Sequence, residues 1–165
     1  MRALGRQITK DFSGQDLLLV AVLKGSFVFL GDLIRQIKIP LAIDFVEISS
    51  YGAGTISSRR PRLLKDATMP MKGKTVLVVD DILDSGYTLH FVLAHLQKKG
   101  PRRIKTCVLL DRKGRREIDM RPDYRGFVIP DEFVIGYGLD YRDGMRHLPF
   151  IAALTPTLSL SGRGG

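Results

Sequence analysis

Four apolar runs of strand length punctuate the first two-thirds of the chain. They are "DLLLVAVL" (Asp16–Leu23), "LAIDFVEISSY" (Leu41–Tyr51), "TVLVVD" (Thr75–Asp80) and "RIKTCVLL" (Arg103–Leu110). The first and third are nearly unbroken, as in strands of a parallel sheet covered on both faces, and the last reads as a fourth strand. The second alternates from Ile43 to Ile48, so one of its faces is expected to be less apolar. Between the runs the period changes. Phe27, Leu30, Leu33, Ile34 and Ile37 follow helical spacing and predict a helix over 27–37. Leu89, Val92, Leu93 and Leu96 form a second stripe over 87–100, stopped by Gly100-Pro101. Residues 1–13 read as a helix fragment, and 52–72, with few apolar anchors, as a long loop. From Asp111 onward helical spacing stops. "RGFVIP" (125–130), "EFVIGYGL" (132–139) and "LPFIAAL" (148–154) look like short strands of a small antiparallel cap. The order of elements predicts an α/β fold, a mostly parallel central sheet flanked by helices. One domain is expected over 1–153, with a core at about 14–110 and a cap at about 111–153 joined by the N-terminal segment. Residues 154–165 are expected to be a disordered tail.

Composition narrows the class without choosing a function. The 165 residues are 44% hydrophobic and 26% charged, ordinary for a globular protein. No run suits a membrane helix, and "MRALGRQITKDFSG" has no apolar signal core. The single cysteine, Cys107, can form no internal disulfide, which fits a reducing, cytoplasmic setting. There is no asparagine, hence no N-glycosylation site. The net charge of +9 suits nucleic acid, an acidic membrane or a polyanionic small molecule. His90, His95 and His147 lack metal-ligand spacing. "GKT" at 73–75 precedes a strand where a P-loop would follow one.

The chemistry concentrates in "VLVVDDILDSGYTL" (Val76–Leu89). Asp80, Asp81 and Asp84 follow a buried strand, and Ser85-Gly86-Tyr87-Thr88 then opens a helix. In an open parallel sheet, ligands bind beyond the carboxyl ends of the strands. A glycine turn at a helix N-terminus cradles phosphate through backbone N–H groups and the helix dipole. The aspartates would repel a bare phosphate. The ligand should therefore carry hydroxyls or a metal ion beside its phosphate, as a sugar phosphate does.

"VVDDILDSGYTL" resembles the phosphoribosyl-diphosphate (PRPP) motif of the type I phosphoribosyltransferases, two acidic residues followed by D-[ST]-G-x-T. "LLLVAVLKGSFVFLGDLIR", "FVEISSYGAGTISS" and "RPDYRGFVIPDEFVIGYGLDYRDGMRHLPFI" are similar to the hypoxanthine-guanine phosphoribosyltransferases of the bacterial type. The resemblance covers roughly residues 2–153. It implies the type I phosphoribosyltransferase fold with a small cap, or hood. It also implies transfer of phosphoribosyl from PRPP to a 6-oxopurine, giving a nucleoside 5′-monophosphate and pyrophosphate.

The resemblance further implies roles for residues. Asp80 and Asp81 would meet the ribose hydroxyls and, directly or through water, Mg2+. Asp84 would act as general base near N7 of the purine. Asp84, Ser85, Gly86, Tyr87 and Thr88 would hold the 5′-phosphate. Lys24, Gly25 and Arg146 would contact pyrophosphate, with a Leu23–Lys24 peptide that can be cis. Ser50 and Tyr51 would begin a mobile loop. Phe133 would stack on the base and Val134 would offer backbone groups to its edge. Asp140 would meet Mg2+. The family's lysine after the fourth strand is replaced by "DRK", so either Arg112 or Lys113 would contact the 6-oxo group. Relatives carry some twenty residues more before the position of Met1, so a looser cap is expected. Homodimers or homotetramers are expected by analogy, with no membrane partner and no role for nucleic acid. The competing reading is a regulatory RNA- or nucleotide-binding protein on the same fold.

Overall fold

The computed structural model describes residues 1–51 and 57–154, and the side chains of 50–60 are outside that description. The expected mobile-loop side chains Ser50 and Tyr51 and residues 155–165 of the expected tail therefore lie outside the described residues, whereas Leu154 is described and its N–H donates to the Phe133 carbonyl at 2.7 Å. The chain runs α1 (Arg2–Asp11), β1 (Leu17–Leu23), α2 (Phe27–Ile34), β2 (Leu41–Tyr51), β3 (Ser57–Lys65), β4 (Thr75–Leu83), α3 (Tyr87–Gln97), β5 (Arg103–Arg112), β6 (Tyr124–Ile129), β7 (Val134–Ile135) and β8 (Ala152–Ala153). A 3-10 turn at Lys113–Arg115 follows β5.

The main sheet has the order β3-β2-β1-β4-β5-β6. All neighbours are parallel except β2 and β3. The unbroken apolar runs are explained by their neighbours. Leu17, Leu19 and Ala21 of β1 and Leu77 and Val79 of β4 face the side covered by α1 and α2. Leu18, Val20 and Val22 of β1 and Val76 and Val78 of β4 face α3 through Leu89, Val92 and Leu96. Strands buried on both faces have no polar side to spare.

Two expected assignments are corrected. The segment 52–72 is not a loop throughout, because Ser57–Lys65 forms β3, antiparallel to β2. Its sequence, "SSRRPRLLK", conceals a strand because β3 is the sheet edge. An edge strand tolerates charge and proline, since half its backbone needs no partner. The segment "RGFVIP" is not part of the antiparallel cap either. It lies in β6, which extends the main sheet parallel to β5 with Leu110 opposite Phe127. The antiparallel cap reduces to β7 and β8. Element ends also shift. α2 stops at Ile34 and α3 at Gln97, whereas β4 continues to Leu83 and β5 to Arg112. Asp80 and Asp81 thus lie inside β4, and the Asp84–Thr88 turn begins only after Leu83.

The cap packs Leu139, Val134, Tyr137 and Ile151 against the core and is also tied to it by polar contacts. The Tyr137 hydroxyl donates to Asp32 of α2. α1 is tied to β6, where the Tyr124 hydroxyl donates to Asp11 at 2.9 Å. Burial pushes the Cys107 thiol up to about 12, so it stays a protonated core residue. No helix among the described residues is long and apolar enough to cross a membrane.

Asp44 of β2 fixes the exit from β3. Its Oδ2 accepts the backbone N–H groups of Thr68 and Met69, both at 2.7 Å, and its Oδ1 that of Phe45 at 2.7 Å. Burial alone would raise this carboxyl, but the three N–H donors and Lys65 outweigh it and hold the group below its usual range. A lowered carboxyl stabilises the fold above its unfolded value and loses that contribution as pH falls through the folded value. Asp44→Ala is expected to cost about 1–3 kcal/mol at pH 7. Urea unfolding should show this penalty shrinking below about pH 4.

Candidate active site

The site grows from the carboxyl end of β4. Val76–Val79 are fully buried, so the strand is fixed before it reaches Asp80, itself 5% exposed, and half-buried Asp81. Two carboxylates here occupy adjacent positions. Burial, then repulsion from Asp81, pushes Asp80 well above the usual carboxylate range. Burial also raises Asp81, although Asp80, backbone N–H groups and Arg146 pull it partly back. An anionic pair held this way favours cations or sugar hydroxyls at the strand end.

The turn after Leu83 supplies the second component. Gly86 caps α3 with φ 97°, a left-handed conformation that side chains resist. Its carbonyl accepts His90 N–H at 2.9 Å, beginning the helix. Asp84, Ser85, Gly86 and Thr88 line one cleft of about 440 Å3 with Asp80 and Asp81. Tyr87 does not line it, and its hydroxyl donates to Glu117 at 3.0 Å. Any part for Tyr87 in this turn therefore falls to its backbone.

The register at the end of β5 separates Arg112 from Lys113. Arg112 is 5% exposed and lines the cleft. Its Nε and Nη2 donate to the two Asp84 oxygens at 3.1 and 2.7 Å, and its Nη1 to the Glu132 carbonyl at 2.6 Å. Lys113 starts the 3-10 turn, is exposed and does not line the cleft. The planar guanidinium holds both oxygens of the carboxylate at once, as a lysine could not.

The opposite wall comes from β1 and the cap. The Leu23–Lys24 peptide is cis, and Lys24 and Gly25 line the cleft. A Cβ on Gly25 would fall 2.0 Å from the Asp81 carboxylate, and one on Gly138 would fall 2.1 Å from the Gly25 carbonyl. The two glycines let the cap turn, the β1 loop and Asp81 meet without side chains between them. Arg146 holds this corner, donating to the Gly138 carbonyl at 2.8 Å and pairing with Asp140 at 2.8 Å. Phe133 is 43% exposed and lines the cleft beside Val134, with Tyr141 edge-on at 6.0 Å between ring centroids.

The fold thus gathers Lys24, Gly25, Asp80, Asp81, Asp84, Ser85, Gly86, Thr88, Arg112, Phe133, Val134, Asp140 and Arg146 around one cleft. Glu47, Arg115 and Asp143 also line it and were not anticipated. Glu47 was legible in principle, since β2 runs parallel to β1 and pairs Glu47 with Leu23, just before Lys24. Arg115 and Asp143 sit on turns whose path no periodicity predicts.

The cleft joins paired carboxylates, a glycine turn at a helix N-terminus and cationic side chains at the carboxyl edge of a parallel sheet, and comparison with known proteins places this arrangement among the phosphoribosyltransferases. The phosphoribosyl transferase domain matches residues 1–142, and the chain belongs to that family. Within it, the chain is similar to hypoxanthine phosphoribosyltransferases. It is 47% identical to the one from Salmonella typhimurium over 150 residues, 90% of this chain and 84% of that one. The crystal structure of the Staphylococcus aureus hypoxanthine phosphoribosyltransferase matches with TM-score 0.90 and 43% identity, covering 96% of this chain and 86% of that one. The Bacillus anthracis hypoxanthine-guanine phosphoribosyltransferase, solved with a HEPES molecule in its active site, matches with TM-score 0.87 and 49% identity, covering 93% and 91%.

The raised carboxyls of Asp80 and Asp81 carry a stability consequence. A raised carboxyl favours folding fully below its unfolded value, and that contribution is lost as pH rises through the folded value. Above the ordinary carboxylate range the cost of ionising this pair therefore opposes folding of the free protein. Asp80→Asn is expected to raise the melting temperature by a few degrees at pH 8 and by less at pH 5. Thermal unfolding of both proteins at the two pH values checks it.

Proposed function

We propose that the chain is a purine-salvage enzyme transferring the 5-phosphoribosyl group of PRPP to a 6-oxopurine. Hypoxanthine and guanine are the leading acceptors, giving IMP or GMP, and xanthine a third, giving its own nucleoside 5′-monophosphate, each with release of pyrophosphate. The observation that carries this reading is the joining of Asp80, Asp81 and the Asp84–Thr88 turn to Lys24, Gly25 and Arg146 in one cleft. The matched relatives are named as enzymes, which favours it over the regulatory reading. We assign it to the cytoplasm and expect self-association through symmetric copies.

In this mechanism the bond from C1′ to the pyrophosphate oxygen breaks as the purine nitrogen bonds to C1′. The ribose gains oxocarbenium character, which Asp80 and Asp81 stabilise while accepting hydrogen bonds from the ribose hydroxyls. Ser85, Gly86, Thr88 and the backbone of Tyr87 hold the 5′-phosphate at the positive end of α3. Lys24, the Gly25 backbone and Arg146 receive the departing pyrophosphate. Phe133 stacks on the purine, and Val134 meets its edge through the backbone. Asp84 accepts the proton from N7 of the base as it becomes a leaving-group-displacing nucleophile. Arg112 orients Asp84 and turns a remaining N–H toward the 6-oxo group. Ser50 and Tyr51 would begin the cover that keeps water from the sugar cation.

The donor set fits Mg2+ brought with the diphosphate. The elevated, mutually repelling Asp80–Asp81 pair and Asp140 offer hard oxygen ligands, and such ions share coordination with phosphates and water. No cluster among the described residues makes a dedicated metal cage. When bound, the ion would neutralise charge on the pyrophosphate.

Pyrophosphate release from PRPP should require hypoxanthine, guanine or xanthine, and release with uracil or adenine alone would refute the acceptor assignment. In the same assay Asp84→Asn should lower kcat about 10²–10⁴-fold with little change in the KM for PRPP. Arg112→Ala should change the kcat/KM ratio between bases more than the KM for PRPP. If Lys113→Ala does so instead, the base contact belongs to Lys113.

A further inference from the structure

Behind the phosphate-type turn lies an arginine that never enters the cleft. Arg116 Nε donates to the Asp84 carbonyl at 2.8 Å and Nη2 to the Leu83 carbonyl at 3.2 Å. Its Nη1 donates to the Met120 carbonyl at 2.5 Å, and Nη2 also to Asp111 Oδ1 at 2.7 Å. The next carbonyl, that of Ser85, accepts the N–H groups of Glu117 and Ile118, both at 3.0 Å. Three consecutive carbonyls, 83 to 85, are therefore engaged by residues 116–118, and no residue from 116 to 120 lines the cleft.

We propose that Arg116 is a positioning residue for binding of the sugar phosphate. It holds the Leu83 and Asp84 carbonyls away from the cleft and places Glu117 and Ile118 on the Ser85 carbonyl, so that the main chain entering the turn turns its acceptors from a bound phosphate. This rests on assigning the 85–88 turn to the 5′-phosphate. A carbonyl rotated inward would set the negative end of a peptide dipole against an anion, and the cradle would lose its selectivity. The effect is one of geometry rather than field. Asp111, 2% exposed, neutralises Arg116 and is shared with Arg125 at 3.0 Å. Only a planar fork reaches acceptors on β4, on the turn and at Met120 together, so lysine is not equivalent.

Arg116→Lys is the decisive variant, because it keeps a cation beside buried Asp111 while losing the fork. Nucleotide formation is followed with ribose 5-phosphate and pyrophosphate as separate inhibitors, one reporting each end of the cleft. In folded Arg116→Lys, judged by thermal unfolding, the KM for PRPP and the Ki for ribose 5-phosphate should rise about tenfold. The Ki for pyrophosphate and kcat should stay within about twofold. If Arg116→Lys does not fold, the neutral pair Asp111→Asn with Arg116→Gln removes both charges together and should give the same split. Equal weakening of both inhibitors, or unchanged ribose 5-phosphate inhibition, overturns the role of Arg116 alone. If the wild-type protein is not inhibited by ribose 5-phosphate in competition with PRPP, the assignment of the turn itself falls.

Discussion

Burial of β4 on both faces is the constraint from which the site follows. A strand wedged between two apolar layers can neither tilt nor slide, so the residues at its carboxyl end are delivered to one place. Asp80 and Asp81 are carried there although burial and their proximity raise both carboxyls. The cost is set against the stability of the two cores that hold the strand. The turn that follows, the left-handed Gly86 and the start of α3 inherit their position from the same strand. The remaining walls are built toward this fixed edge by β1, β5 and the cap.

Charge in the cleft differs from the charge of the chain. The chain carries +9 overall, yet the cleft gathers Asp80, Asp81 and Asp84 on β4 and its turn. Lys24, Arg112 and Arg146 stand around it, each on a different element. Such a layout suits a ligand whose cationic character develops at its centre while its anionic groups lie at its ends. Arg112 joins the two zones, because the same guanidinium fixes Asp84 and reaches the Glu132 carbonyl of the cap.

The parallel core was legible because its strands are buried on both faces and so leave unbroken apolar runs, as in "LLLVAVL" and "TVLVVD". β3 was not, since an edge strand built from arginines and a proline draws its order from β2 rather than from its own pattern. β6 was misplaced for a related reason, as its partner β5 lies across a turn-rich connection and neither strand names the other. The aspartates, Lys24 and Arg146 could be found through local motifs. The choice between Arg112 and Lys113 could not, because it turns on where β5 ends. Arg116 left no signal at all. Its work is to satisfy backbone carbonyls, and nothing in a sequence marks which carbonyl needs a donor.

The contact between Gly25 and Gly138 has a mechanical meaning. Backbone rests on backbone there, with the Asp81 carboxylate against the other side of Gly25. Three segments far apart along the chain thus behave as a single stop, with no compressible side chain to absorb displacement. A change in one loop alone meets the backbone of the other, so widening this end of the cleft requires all three segments to be redrawn together.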